Sequence, residues 1–375
     1  MKKTFFLIAA SAAMLLHAAP DAAQVFTRTT RYIDMDGNSL FYYNTSELVK
    51  LLDKLPGFAG SIAATADVPP ESVQLVKDGT SVLLNTLNLN AVKALACSTK
   101  ELPGDIHIAK NVTYLGNASA LPGIFNVAQF KNKFDLNAEL SALPSDVIFA
   151  IRFQAAVDIA DLEKNINASP NAQLKAYWNM LKSMAATFGA DINKLSSGCA
   201  GTFTVVIAGN DENSLRMICT VPDENGSLST LLKRFLPQDP QMPAIYPIPG
   251  TSKITALGKP VVLFQDKKVV LMSDYQRCTK KYPKFKPPVA LCRQLPVNAG
   301  AYTVINVSSG GIAELRKLTA KQPVFAKITA ALKPACLIAA SVIERDAISD
   351  TAASDFSVTD LMYKANLLMY KANSK

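Results

Sequence analysis

Histidine is scarce in this 375-residue chain: there are two, His17 and His107. A multi-histidine metal site is therefore excluded by count. The chain also lacks Gly-x-Ser-x-Gly, Ser-x-x-Lys, Gly-x-Gly-x-x-Gly and Gly-x-x-x-x-Gly-Lys, the usual frames for an activated serine or a nucleotide phosphate. No Cys-x-x-Cys occurs, so structural zinc and thioredoxin-like exchange lose their spacing signal. Beyond the first eighteen residues, no apolar run approaches the roughly 18 to 20 residues of a membrane-spanning helix. His107 lies in the alternating stretch Asp105-Ile-His-Ile-Ala and reads as a strand residue without catalytic duty. No cofactor is implied by any motif.

The start of the chain is informative. Lys2 and Lys3 precede an apolar stretch from Phe5 to Leu16 and then small residues, the layout of a secretory signal peptide over Met1–Ala18. Cleavage after Ala18 uses Leu16 and Ala18 as the residues read by the peptidase and leaves about 357 residues (375 less 18). A periplasmic or secreted bacterial protein is the expectation. The formal charge of +9 becomes +7 once Lys2 and Lys3 are removed. A basic exported protein is drawn toward anionic envelope polymers by long-range attraction. Another envelope protein is the alternative partner, and nucleic acid is disfavoured.

An acid-Leu-x-Lys frame recurs at 47–50, 161–164 and 314–317, each time after an apolar run. The acids Glu47, Asp161 and Glu314 suit a first helical turn, and the leucines Leu48, Leu162 and Leu315 begin a buried stripe. Leu143-Pro144 leads into the alternating Val147, Phe149, Ile151 and Phe153. Leu295-Pro296 leads into Ala299, Ala301, Thr303 and Ile305, 152 residues later. In the first copy Phe26–Asp34 and Leu40–Tyr43 read as strands around a Met35-Asp-Gly-Asn38 turn. The fold class expected is α+β: three related units of antiparallel sheet with helices packed on one face. Their spans are 19–140, 141–292 (with a Pro-rich connector and a basic loop) and 293–375 (with a C-terminal amphipathic helix over 358–372). The chain resembles exported bacterial proteins of unknown function built from repeated Leu-Pro, strand and helix modules, a resemblance that implies no activity or ligand.

Cys278 and Cys292 bracket a Pro-rich segment and are the expected disulfide, worth about 3 kcal/mol in the chain-entropy model. Cys97, Cys199 and Cys336 fall at comparable places before core strands; with Cys219 they remain unassigned. Cys219 is placed opposite about Thr204 in a hairpin formed by 201–209 and 214–221, out of reach of Cys199. A second hairpin is expected at 261–264 and 269–272. Asp34-Met-Asp-Gly-Asn38 has oxygen side chains in alternation but the wrong glycine position for a calcium loop, and reads as a turn.

The local feature with binding chemistry is the basic loop 277–293. Lys280, Lys281, Lys284 and Lys286 there accompany Tyr282 and Phe285, giving charges for phosphate or sulfate beside rings able to stack on bases or sugars. The sequence thus points to a non-enzymatic envelope binding or scaffold protein, with polyanion binding through this loop as one form of it. A periplasmic hydrolase using carboxylates is the rival, since thirty acids offer many pairings.

Overall fold

The computed structural model describes residues 20–45, 54–66, 69–87, 91–116, 133–155, 159–211, 213–249, 258–320, 326, 329–330 and 333–357. The expected signal peptide, the frame at 47–50 and the helix at 358–372 lie outside these residues.

The chain begins with α1 (Pro20–Thr30), β1 (Ser39–Asn44), α2 (Leu55–Thr65), α3 (Pro70–Leu87), β2 (Ala94–Leu102) and β3 (Ile106–Tyr114). Then come β4 (Phe134–Asp135), α4 (Leu136–Ala142), β5 (Val147–Ala155), α5 (Ala160–Ala168), α6 (Ala172–Thr187) and α7 (Ile192–Gly198). The hairpin β6 (Gly201–Ala208) and β7 (Arg216–Pro222) is followed by α8 (Ser227–Leu232), β8 (Ile245–Pro247), β9 (Val261–Gln265) and β10 (Lys268–Met272). The last elements are α9 (Tyr275–Thr279), α10 (Val289–Cys292), β11 (Asn298–Ala299), β12 (Ala301–Val307), α11 (Ser309–Thr319), β13 (Ala335–Ile343) and β14 (Ala347–Ser354). Helices and a large antiparallel sheet make this an α+β fold.

Twelve strands form one sheet in the order β1-β2-β3-β14-β13-β12-β5-β6-β7-β10-β9-β8, and every pairing is antiparallel. The two expected hairpins are present. Cys219 stands opposite Val205, one residue from the expected partner. At the centre, β12 lies against β5 with Thr303 opposite Ile151. These two residues are 152 apart, the spacing of the Leu-Pro leads, so this one matching pair stands face to face, with the other partners displaced symmetrically about it.

Period-two alternation explains which face is buried. On β13, Cys336, Ile338, Ala340 and Val342 point inward while their neighbours are half-exposed. Cys336, Ile338 and Ala340 join Leu136 and Leu140 of α4, Leu143, Phe285, and Leu291 of α10 in the central core. A smaller cluster gathers Ile33, Ala94, Ala96, Val112 and Tyr114 beneath α1.

The helix starts follow from capping. The side chains of Asp135, Asn171, Asp191, Asp274 and Ser308 each accept a hydrogen bond from a backbone N–H in the first turn of α4, α6, α7, α9 and α11. For α11 the cap is Ser308, whose hydroxyl accepts from the Gly311 N–H at 3.1 Å. The acid-Leu-x-Lys frame there yields a Glu314–Lys317 ion pair at 3.0 Å.

The first expected hairpin does not form. Residues 26–30 belong to α1, and β1 pairs with β2 rather than with any described residue before it. Strand-favouring threonines are accommodated because Thr29 and Thr30 donate to the carbonyls of Val25 and Phe26 one turn back, while Val25 and Tyr32 pack on the second cluster. Arg31 and Tyr32 both donate to the Asp346 carboxylate, fixing the end of α1 to the β13–β14 turn.

In the 34–38 turn, Asp34 pairs with Lys110 and Asp36 with Lys100, each at 2.7 Å, so both carboxylates are engaged by lysines. A Cβ on Gly37 would stand 2.6 Å from the Thr99 carbonyl oxygen. Gly37→Ala is expected to destabilise the chain by about 1–3 kcal/mol, read from urea unfolding at unchanged slope. A neutral result would mean that the turn does not close on β2 as described.

Candidate functional site

A cavity of about 640 Å³ opens between α4, the β6–β7 hairpin and the segment after α9. Its floor is sheet. Thr204 and Val206 of β6 and Ile218 and Thr220 of β7 project from the same face, with Thr204 directly opposite Thr220. Ala142, Leu143 and Pro144 form one wall, and Lys280, Lys281, Tyr282 and Lys284 form the opposite rim.

This rim is the expected basic loop, but its construction differs from the expectation. It is not closed by a disulfide: all six cysteines are free thiols. The Cys278 thiol, on α9, is turned onto the Met217 carbonyl at 3.5 Å, whereas Cys292, on α10, packs against the central core. The clamp is instead backbone and burial. Ser145 donates its N–H to the Pro283 carbonyl at 2.8 Å, and Phe285 donates to Leu143 at 2.8 Å, pairing the loop with the Leu-Pro lead. Phe285 is 6% exposed and belongs to the core.

That burial removes Phe285 from the binding surface. Tyr282 is likewise committed on one face, since the Arg216 guanidinium carbon sits 3.3 Å from its ring centroid. Stacking on bases or sugars by this pair of rings, as expected from sequence, is therefore not what the structure builds. Lys280, Lys281 and Lys284 do converge at the rim; Lys286, beyond Phe285, does not line the cavity. Lys284 donates to the Ala142 carbonyl at 3.3 Å and reaches across the opening.

Beneath the rim, charges are paired. Arg216 grips Asp146 with two hydrogen bonds of 2.7 and 2.8 Å and donates to the Ser214 carbonyl at 3.1 Å. The two side chains are 4% and 9% exposed. Glu139, the one acid among the described residues on the cavity wall, is ion-paired to Arg152, whose guanidinium also lies over the Phe134 ring at 4.5 Å. The Arg152 Nε is buried without a hydrogen-bond partner among the described residues. Tyr302, beside Glu139, has its phenol pushed up to about 12, first by burial and then by the Glu139 charge, so it stays neutral.

These groups set the cavity's chemistry. Both carboxylates near it are held by guanidinium groups, which leaves no free carboxylate pair among the described residues of this cavity for acid and base roles. The lysines of the rim form no ion pair among the described residues. The cavity is therefore neutral and mostly apolar inside and cationic at its mouth.

The sequence singled out the rim lysines but missed Arg216, Asp146, Glu139 and the threonine pair. A signal was present. Arg216 and Arg152 are single charges within otherwise uncharged strands, and a charge in a buried strand requires a partner.

The other candidates do not assemble into a site. His107 lies between Glu101, whose carboxylate is 3.6 Å from Nδ1, and Ser354 on β14. The Ser354 hydroxyl donates to the Phe356 carbonyl at 2.7 Å, which directs its proton away from the imidazole. Cys97 and Cys336 are both on strands but Cys97 pairs with Phe41 and Asn111 whereas Cys336 pairs with Asn306; Cys199 ends α7. Burial and then the Asp355 charge push the Cys336 thiol up to about 12, consistent with a packing role. Compared with protein-family models, curated proteins and solved structures, the chain matches none.

Proposed function

We propose that this chain is an exported, non-enzymatic binding protein of the bacterial envelope that holds an anionic ligand at the cavity bounded by α4, the β6–β7 hairpin and the basic segment. The observation that carries the reading is the convergence of Lys280, Lys281 and Lys284 at the mouth of one cavity whose other charges are internally paired. Uncompensated lysines at a concave opening attract anions and act as point charges on phosphate, sulfate or carboxylate groups. The signal-like start at Met1–Ala18 supports export, and the net charge supports an anionic partner.

The same reading treats the fold as three related units, each a strand, a helical excursion and a two-strand meander. The supporting sets are β1-β2-β3, β5-β6-β7 and β12-β13-β14, in each of which the later strands pair back in order. Contact between first strands (β5 with β12) and between last strands (β3 with β14) would join the units by alternating approximate two-folds. On this view the cavity lies mostly in the second unit, with Glu139 and Tyr302 contributed from outside it.

The test uses heparin as the polyanion. Replacing Lys280, Lys281 and Lys284 with glutamine is expected to lower both retention and its salt slope, by roughly one unit for each sulfate no longer neutralised. Lys286→Gln alone should change little, because that residue lies away from the mouth. Equal retention of the triple variant and the parent at low salt would remove the basic segment from any binding role.

A further inference from the structure

We infer that the ligand is a single-chain anionic amphiphile, with its apolar chain in the cavity and its charged head among the rim lysines. This rests on the proposed binding of anions and deepens it. Exposure separates two chemistries in the cavity: Lys280, Lys281 and Lys284 are exposed, whereas Thr204, Val206, Ile218 and Thr220 are half-buried. A polymer charged all along its length can run across the rim lysines, but it would leave the half-buried apolar floor of Val206 and Ile218 unfilled. The floor and wall offer Val206, Ile218 and Pro144 as half-exposed apolar surface, backed by the buried Leu143 and Ala208.

Charge pairing makes the interior still less suited to an ionic group. Arg216 is already neutralised by Asp146, and Glu139 by Arg152, so neither acts as an open receptor for a second charge. Burying an uncompensated anion against the sheet floor would carry a desolvation cost that the two threonine hydroxyls there, with no unpaired cation, do not match. An anion held at the rim keeps part of its hydration while the lysines supply attraction. The cavity volume of about 640 Å³ lies within the range of small-molecule sites, roughly 300–1,000 Å³. The facing side chains of Thr204 and Thr220 provide methyls as well as polar atoms, consistent with a chain lying along the β6–β7 hairpin.

Calorimetric titration of the purified chain with octyl, decyl and dodecyl phosphate, each below its micelle concentration, tests this directly. Each added methylene is expected to tighten binding about fourfold, the equivalent of removing one CH₂ from water. The Lys280, Lys281 and Lys284 glutamine variant should weaken all three ligands by a common factor and leave that progression intact. Val206→Phe and Ile218→Phe, made separately and each checked for an unchanged unfolding midpoint, should flatten the progression by filling the floor. Two such variants keep the test decisive if one fails to fold. Dodecanoate should bind on the same footing as dodecyl phosphate, because ammonium groups read charge rather than head-group geometry; dodecyl maltoside, uncharged, should bind at least about tenfold more weakly.

Alkyl phosphates that bind no more tightly than inorganic phosphate would overturn the amphiphile inference while leaving lysine-dependent heparin retention standing. A chain-length progression unaffected by either phenylalanine would place the chain outside this cavity and overturn the assignment. Equal binding of the maltoside would remove the rim charges from recognition. Loss of lysine dependence in both assays would overturn the proposed function itself, so the two failures are distinguishable.

Discussion

Asp146→Ala is expected to lower the stability of this protein by about 3–5 kcal/mol, because it leaves the Arg216 guanidinium buried without its counter-charge. The geometry sets that scale. Arg216 is 4% exposed, donates to both Asp146 carboxylate oxygens, and is covered by the Tyr282 ring, so water has little access to the orphaned cation. The pair itself need not be strongly stabilising, since desolvation of both ions opposes their attraction. The loss comes from breaking it on one side. Asp146→Ala combined with Arg216→Met should therefore recover much of the stability, as an apolar side chain replaces an unpaired charge of similar length. Urea unfolding of the two single variants and the double variant measures the coupling. A cost below about 1 kcal/mol for Asp146→Ala, the size usual for exposed pairs, would mean that solvent reaches Arg216 and that the floor of the site is not as dry as described.

Leu140→Ala is expected to cost about 2–5 kcal/mol and to weaken ligand binding as well. Leu140 is fully buried and belongs to the central core together with Val147, Tyr302 and Leu291, contributed by separate parts of the chain. Collapse around a missing side chain is restricted. Helix α4 is capped at its start by Asp135, which also pairs with β11, and is tied at its end through Leu143 to the segment carrying Phe285. A residual cavity is therefore the expected result, with the higher end of the range favoured. Because α4 also presents Glu139 and Ala142 to the site, a shift of this helix should reach the wall of the ligand cavity. Unfolding measurements give the stability change, and dodecyl phosphate titration gives the binding change. A fully retained affinity would show that the α4 wall is not needed for the ligand.

Features that depend on a few neighbouring residues were readable from the chain alone. The β6–β7 and β9–β10 hairpins follow from apolar alternation around polar turns. Strand-then-helix order at β5–α5 and β12–α11, and the cluster of lysines at 280–286, were equally legible. Features that need a partner far away in the chain were set only by folding. The helix α1 forms where threonine and aromatic residues favoured a strand, because its side chains pack on a sheet made some seventy residues later. Phe285 looked like a surface ring from its lysine neighbours, yet it enters the core because Leu143 and Leu291 complete an apolar site around it. Arg216 and Asp146 are 70 residues apart, and neither announces the other. The order of strands, with β12 against β5 and β14 against β3, is fixed by which apolar faces and edges can be satisfied together. Local rules place a cation or a turn, but a cavity exists only once the floor, wall and rim have been brought from separate segments into one packed arrangement.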